Sequence, residues 1–166
     1  MALMKTDNTL ISQEALDARI EARMRWYKER MDGSVVSMLG VECLGGSVSP
    51  LKLNYRYVSE AWMRNPAGVT HGGMLATMLD NAMGITARIV SPHEGIAPTA
   101  ELHVSYLRPV PVDSAIRIAV SVDQISSRMI RMRAKLWLEG EEDTLCVTGQ
   151  AVYCPILGAK AMEPLV

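Results

Sequence analysis

The chain contains no phenylalanine, no C-x-x-C pair, no basic excess and no apolar run of bilayer length. Each absence removes a class of function. A net charge of -1 at pH 7 lacks the basic footprint that phosphate-rich partners require, so nucleic acid is excluded as the main partner. Apolar stretches fall short of the roughly 20 residues a membrane helix needs, so no membrane span is expected. Lys5 and Asp7 interrupt any early apolar run, and no signal-peptide pattern opens the sequence. Cys43, Cys146 and Cys154 stand far apart without metal-ligand spacing. They fit a reducing compartment as small buried hydrophobes. The expectation is a cytoplasmic protein with no metal and no cofactor. Repeats, low-complexity tracts and linkers are missing too, and 166 residues suit one domain with a sizeable core.

What is present is ordinary for a soluble globular domain: 49% apolar and 21% charged residues. The twelve methionines are less ordinary. Methionine fills irregular space, so they reflect either a compositional habit or a pliable, acyl-accepting pocket.

Periodicity gives the elements. Leu16, Ile20, Met24, Tyr27 and Met31 recur every three or four residues between charged positions. This predicts an amphipathic helix capped by Ser12 and stopped at Gly33, covering an edge or face of the core. Two strands are expected at 35–43 and 48–57, separated around Gly45-Gly46. In the second, Leu51, Leu53, Tyr55 and Tyr57 alternate with Lys52, Asn54 and Arg56. A helix apolar nearly all round is expected over 72–90, closed by Ser91-Pro92-His93-Glu94-Gly95. Four strands follow at 99–107, 116–126, 129–139 and 145–153. An α+β fold results, one antiparallel sheet wrapped around a single long central helix, with an extra N-terminal helix.

The chemistry concentrates at Asn65-Pro66-Ala67-Gly68-Val69-Thr70-His71-Gly72-Gly73, with Asp80 nine residues after His71. A polar, glycine-bearing loop runs into an apolar helix, and one carboxylate sits about two turns inside it. A charge there is costly unless it has a partner or a task. The glycines leave backbone N–H groups open at a helix start, where the dipole favours developing negative charge. Carbonyl polarisation at one place and base chemistry at another are therefore both on hand.

These residues carry a resemblance. Asn65-x-x-Gly68-x-x-His71-Gly72-Gly73, followed by Asp80 within Leu79-Asp80-Asn81-Ala82-Met83-Gly84, resembles the signature of hotdog-fold acyl-CoA thioesterases of the PaaI-like family. Pro98-Thr99-Ala100-Glu101-Leu102-His103-Val104-Ser105-Tyr106-Leu107-Arg108-Pro109 resembles the strand that follows the helix in that family. The likeness spans about 35–153. It implies an N-terminal extension at 1–33, a hotdog domain at 34–156 and a tail at 157–166. It implies a homodimer or homotetramer with a continuous sheet, and metal-free hydrolysis of an acyl-CoA at a subunit boundary. Carried over, the Gly72 N–H is the oxyanion donor and Asp80 the general base or nucleophile. Asn65 and His71 orient water and substrate, and Thr99 stands beside the carboxylate. Gly73 and Met74 border the substrate, and Arg108 is a candidate for the CoA phosphates.

Thioester hydrolysis needs a polarised carbonyl and an activated water. Gly72 and Asp80 lie eight residues apart, ~12 Å along one helix at ~1.5 Å per residue. One carbonyl cannot touch both, so Asp80 of one subunit is expected to serve the Gly72 amide of its partner across a two-fold dimer. Gly73, Ala76, Gly84 and Ala87 would allow two such helices to approach. His93 and His103 are read as bystanders, Arg131 and Arg133 as a solvated strand face. An acyl-thioester hydratase lacks its His-carboxylate pair here. A non-catalytic acyl-CoA-binding or sensing hotdog protein is the alternative.

Overall fold

A helix of 19 residues, α3 (Gly72–Val90), organises the chain. The structure, a computed structural model, describes residues 11–92 and 95–157. Leu75, Met78, Leu79, Ala82, Met83, Ile85 and Ile89 of α3 are buried. They meet the inner face of a six-stranded antiparallel sheet of order β1-β2-β5-β6-β7-β4. The strands are β1 (Glu42–Val48), β2 (Leu51–Val58), β4 (Thr99–Tyr106), β5 (Ala115–Ile125), β6 (Ile130–Leu138) and β7 (Leu145–Tyr153). A two-residue ladder pairs β3 (Gly95–Ile96) with β8 (Ile156–Leu157). Period-two alternation decides which side chains face α3. On β6, Ile130, Met132, Ala134 and Leu136 are buried while Arg131, Arg133 and Lys135 are exposed. Two hydroxyls bolt β2 to α3: Tyr55 meets Thr86 Oγ1 at 2.8 Å, and Tyr57 donates to Asn81 Oδ1 at 2.9 Å.

The N-terminal helix α1 (Gln13–Arg30) starts where its cap predicts: Ser12 Oγ accepts from Ala15 N–H. It ends one turn earlier than Gly33. Leu16 is fully buried, and Gln13 and Arg19 donate to the backbone carbonyls of Gly46 and Ile89. This helix therefore lies over β1 and the C-terminal half of α3.

Three expectations need correction. The first half of the expected strand 35–43 is a short helix, α2 (Val35–Leu39), because Ser34 caps it and Gly40 closes it in the left-handed region at φ 59°. Gly45-Gly46 is a bulge inside β1, not the turn between strands; the chain turns at Ser49-Pro50 instead. Gly46 is required there by contact: a Cβ would sit 2.6 Å from Lys52 O and 3.1 Å from Leu53 Cγ. Finally, α3 is not buried nearly all round. Gly73, Thr77, Asp80, Asn81, Gly84 and Arg88 form a partly open stripe along it. The four C-terminal strands agree with expectation to within one residue at each end.

Candidate active site

The loop ahead of α3 is held by its own backbone. Asn65 Oδ1 accepts from the N–H groups of Ala67 (2.9 Å) and Val69 (3.3 Å). Thr70 N–H donates to Val110 O at 2.8 Å, and His71 N–H to Met63 O at 2.7 Å. His71 then caps the helix: its Nδ1 accepts from Gly73 N–H at 2.9 Å, and its carbonyl accepts from Met74 and Leu75. With Nδ1 accepting, a neutral ring carries its proton on the exposed Nε2. Of the first-turn amides, the Gly72 N–H alone meets no acceptor among the described residues. It is the free donor at the positive end of the helix dipole.

Gly72 also explains a residue the sequence did not single out. Tyr106 OH donates to Gly72 O at 2.9 Å, and a Cβ on Gly72 would stand 3.3 Å from the Tyr106 ring. The last residue of β4 thus braces the first residue of α3, and a Cβ there would press on the exposed ring by a few tenths of an ångström.

Asp80 is half-buried, with Oδ1 accepting from Thr99 Oγ1 at 2.8 Å and Tyr153 OH at 2.7 Å. The Tyr153 hydroxyl also lies 2.8 Å from the Asp80 carbonyl. Thr99 and Tyr153 are cross-strand partners in the β4–β7 ladder, so sheet register aims both hydroxyls at one oxygen. Burial first, and then the charge of Asp80, push the Tyr153 phenol well above its ordinary pKa. It therefore stays a protonated donor at neutral pH. Oδ2 of Asp80 meets no donor among the described residues and is left for water or substrate. The carboxylate borders an open cleft of about 240 Å³ shared with Tyr27, Gly84, Arg88, Thr99 and Tyr153.

Within one chain the structure gathers Asp80 and Thr99 at one end of the β4–α3 contact, and Asn65, His71 and Gly72 at the other. It does not bring the two groups together, since eight residues of helix (~12 Å) separate them. Gly73 is exposed, with its N–H committed to His71; Met74 is half-buried against the core. Arg108 is exposed, and its guanidinium donates to Leu145 O at 2.6 Å, tying down the segment after β4. Arg133 forks onto Asp123, His103 is exposed on β4, and His93 lies outside the described residues. Ala87 is buried in the chain's own core, which corrects the expectation that it lines a helix–helix approach. Gly73, Ala76 and Gly84 stay at least partly accessible. Among the described residues no group of His, Cys, Asp and Glu is placed to hold a metal ion, and no helix is long and apolar enough to cross a membrane.

Residues 67–145 match the family model of the thioesterase superfamily. The fold is that of the PaaI protein from the Escherichia coli phenylacetic acid degradation operon, at TM-score 0.73 and 13% identity over 88% of this chain and 99% of that one. The chain has a hotdog fold, and its residues 67–145 match the thioesterase superfamily. A Halobacterium salinarum protein provisionally named an esterase is 33% identical over 99 residues, 55% of this chain and 66% of that protein. Acyl-coenzyme A thioesterase THEM4 of Xenopus laevis is 35% identical over 69 residues, 42% of this chain and 30% of that protein. This hotdog chain thus spans less than two thirds of the length of either curated relative. Two of the hydroxyls that serve its helix, those of Tyr106 and Tyr153, escaped sequence reasoning. Each is an ordinary strand residue until the sheet register is known.

Proposed function

We propose that the chain hydrolyses an acyl-CoA thioester to a carboxylic acid and CoA, with the catalytic groups contributed by two copies. The observation that carries this is Asp80, fixed through Oδ1 by Thr99 and Tyr153 with Oδ2 open at the lip of a cleft. The superfamily match and the thioesterase named among the relatives support the reaction class.

In the reaction, Asp80 Oδ2 takes a proton from water as the oxygen adds to the thioester carbon. The carbonyl electrons move onto oxygen, where the Gly72 N–H of the second copy receives the developing charge. Collapse of that adduct breaks the C–S bond, and the CoA thiolate leaves with the proton held by Asp80. In the nucleophilic variant Oδ2 itself attacks the thioester carbon, the C–S bond breaks to expel the CoA thiolate, and water then hydrolyses the mixed anhydride to the acid and the restored Asp80 carboxylate. Oxygen-isotope label from water entering Asp80 in a single turnover selects the second route. Asn65 and His71, on the loop that leads to the donor amide, orient the ester.

A second copy is needed because of the ~12 Å between the halves. The eight-residue β4 is an edge strand, paired on one side only among the described residues. Such an edge invites a partner strand. Antiparallel pairing of two β4 strands about a two-fold axis sets the two α3 helices antiparallel and each Asp80 toward the partner's helix start.

Mixing two inactive variants tests this. Asp80→Asn removes the carboxylate. Gly72→Pro removes the N–H at a helix position where proline is tolerated. In a mixed dimer one of the two sites regains both groups, so a statistical mixture should recover roughly a quarter of wild-type thiol release. Failure to recover, with both variants folded and exchanging subunits, overturns the shared site.

A further inference from the structure

Past Asp80 the cleft changes character. Ile85, Ile96 and Pro98 give it an apolar middle, and Gly84 keeps its floor open. Arg88, about two turns beyond Asp80 on α3, lines the cleft as well. A helical side chain leans back toward the N-terminus, so Arg88 reaches over the preceding turn toward Asp80. The wall beside it comes from α1, the helix that precedes the hotdog core. Arg88 Cζ lies 5.1 Å from the centre of the Trp26 ring, and Arg23 Cζ lies 5.6 Å from the same ring. Two guanidiniums thus share one indole.

Neither has an anionic partner: among the described residues no ion pair includes Arg23 or Arg88. Arg88 Nε is buried and unpaired. What Arg88 does meet is the Tyr27 hydroxyl. Burial and the nearby charge of Arg88 push the Arg23 guanidinium down. Like charges placed together and partly desolvated are unfavourable unless an anion joins them.

We infer that the cleft takes an acyl group ending in a carboxylate, with Arg88 as its anchor. The substrate class is the mono-CoA thioester of a short dicarboxylic acid. The inference rests on the hydrolase reading above and adds the acyl specificity to it. The volume agrees: about 240 Å³ lies below the roughly 300–1,000 Å³ of pockets for drug-sized ligands. The charges agree too. Asp80 repels a carboxylate at the near end and Arg88 attracts it at the far end, so the ester enters in one direction.

The test compares thiol release from succinyl-, glutaryl- and adipyl-CoA with butyryl-, pentanoyl- and hexanoyl-CoA, pairs of equal carbon count. Wild type should favour the dicarboxylic member of at least one pair by about tenfold or more in kcat/KM. Arg88→Met keeps the stem and loses the charge. It should lower kcat/KM for that ester by about 10- to 100-fold and hold the monocarboxylic one within about twofold. No dicarboxylic preference in wild type overturns the inference without any variant, and so does an equal loss for both esters.

CoA phosphates are the other anion within reach. Calorimetric titration of Asp80→Asn protein, with and without Arg88→Met, separates the two. Weaker binding of glutaryl-CoA with unchanged binding of free CoA supports the carboxylate. Weaker binding of free CoA assigns the guanidiniums to phosphate and overturns it. If no acyl-CoA of the panel releases thiol, the hydrolase reading fails. The calorimetric ranking of glutaryl-CoA against pentanoyl-CoA still decides the role of Arg88.

Discussion

At the scale of single residues, the proposed site depends on how one carboxylate is held. Removing it should matter most: Asp80→Asn is expected to lower kcat by roughly 10²–10⁴, with a melting temperature near wild type because the residue is only half-buried. Removing one of its two hydroxyl donors should cost less. Thr99→Val and Tyr153→Phe should each lower kcat about tenfold, within the range for a hydrogen bond to a charged group. The double variant should lose more than either single one, because Oδ1 then has no donor left. A free thiol assay beside thermal denaturation checks both statements; unchanged kcat in the double variant would show that the two hydroxyls do not position Asp80.

At the scale of elements, legibility followed periodicity. The helix over 72–90 and the four C-terminal strands were readable because their apolar spacing repeats over many residues. The segment at 35–48 was not. Val35 and Val36 look like a strand, yet Ser34 and Gly40 cap a helix of five residues whose Val35 and Met38 stay exposed. The pair Gly45-Gly46 looks like a turn, but its reason is tertiary, the approach of the Lys52 carbonyl beneath α1. Asp80, Gly72, His71 and Asn65 could be singled out because residue type and spacing alone carry their chemistry. Tyr106 and Tyr153 could not, because their value is tertiary: β4 brings Tyr106 to the start of α3, and β7 beside it brings Tyr153 to Asp80. Gly46→Ala is expected to destabilise the protein by about 1–3 kcal/mol through overpacking. The denaturant midpoint should report the loss. A Gly46→Ala protein as stable as wild type would show that β1 can shift away at no cost.

At the scale of the whole molecule, buried phenols set an upper pH limit. Burial raises the pKa of Tyr55, Tyr57 and Tyr153 well above the ordinary tyrosine value. In the unfolded chain these groups ionise near pH 10. Their contribution to stability is therefore complete below about pH 10 and is lost as pH rises beyond it, when the unfolded state sheds protons that the folded state retains. Denaturation midpoints should begin to fall near pH 9, where the thiols of Cys43 and Cys146, raised by burial in the folded state, ionise in the unfolded chain, and should fall further by about pH 11. Phenolate absorbance of the folded protein should lag behind that of the denatured chain. Coincident titration curves would place these hydroxyls in contact with solvent.

Thr99 and Tyr153 face each other across the outermost ladder of the sheet, and both end on one carboxylate oxygen. The ladder is therefore a gauge: sliding β4 by a single position turns Thr99 to the opposite side of the sheet and takes its hydroxyl out of reach. A strand docked along the free margin of β4 would oppose such slippage. Assembly would then tune the acid–base group of each protomer before any substrate arrives, and dilution would weaken it even where the fold survives.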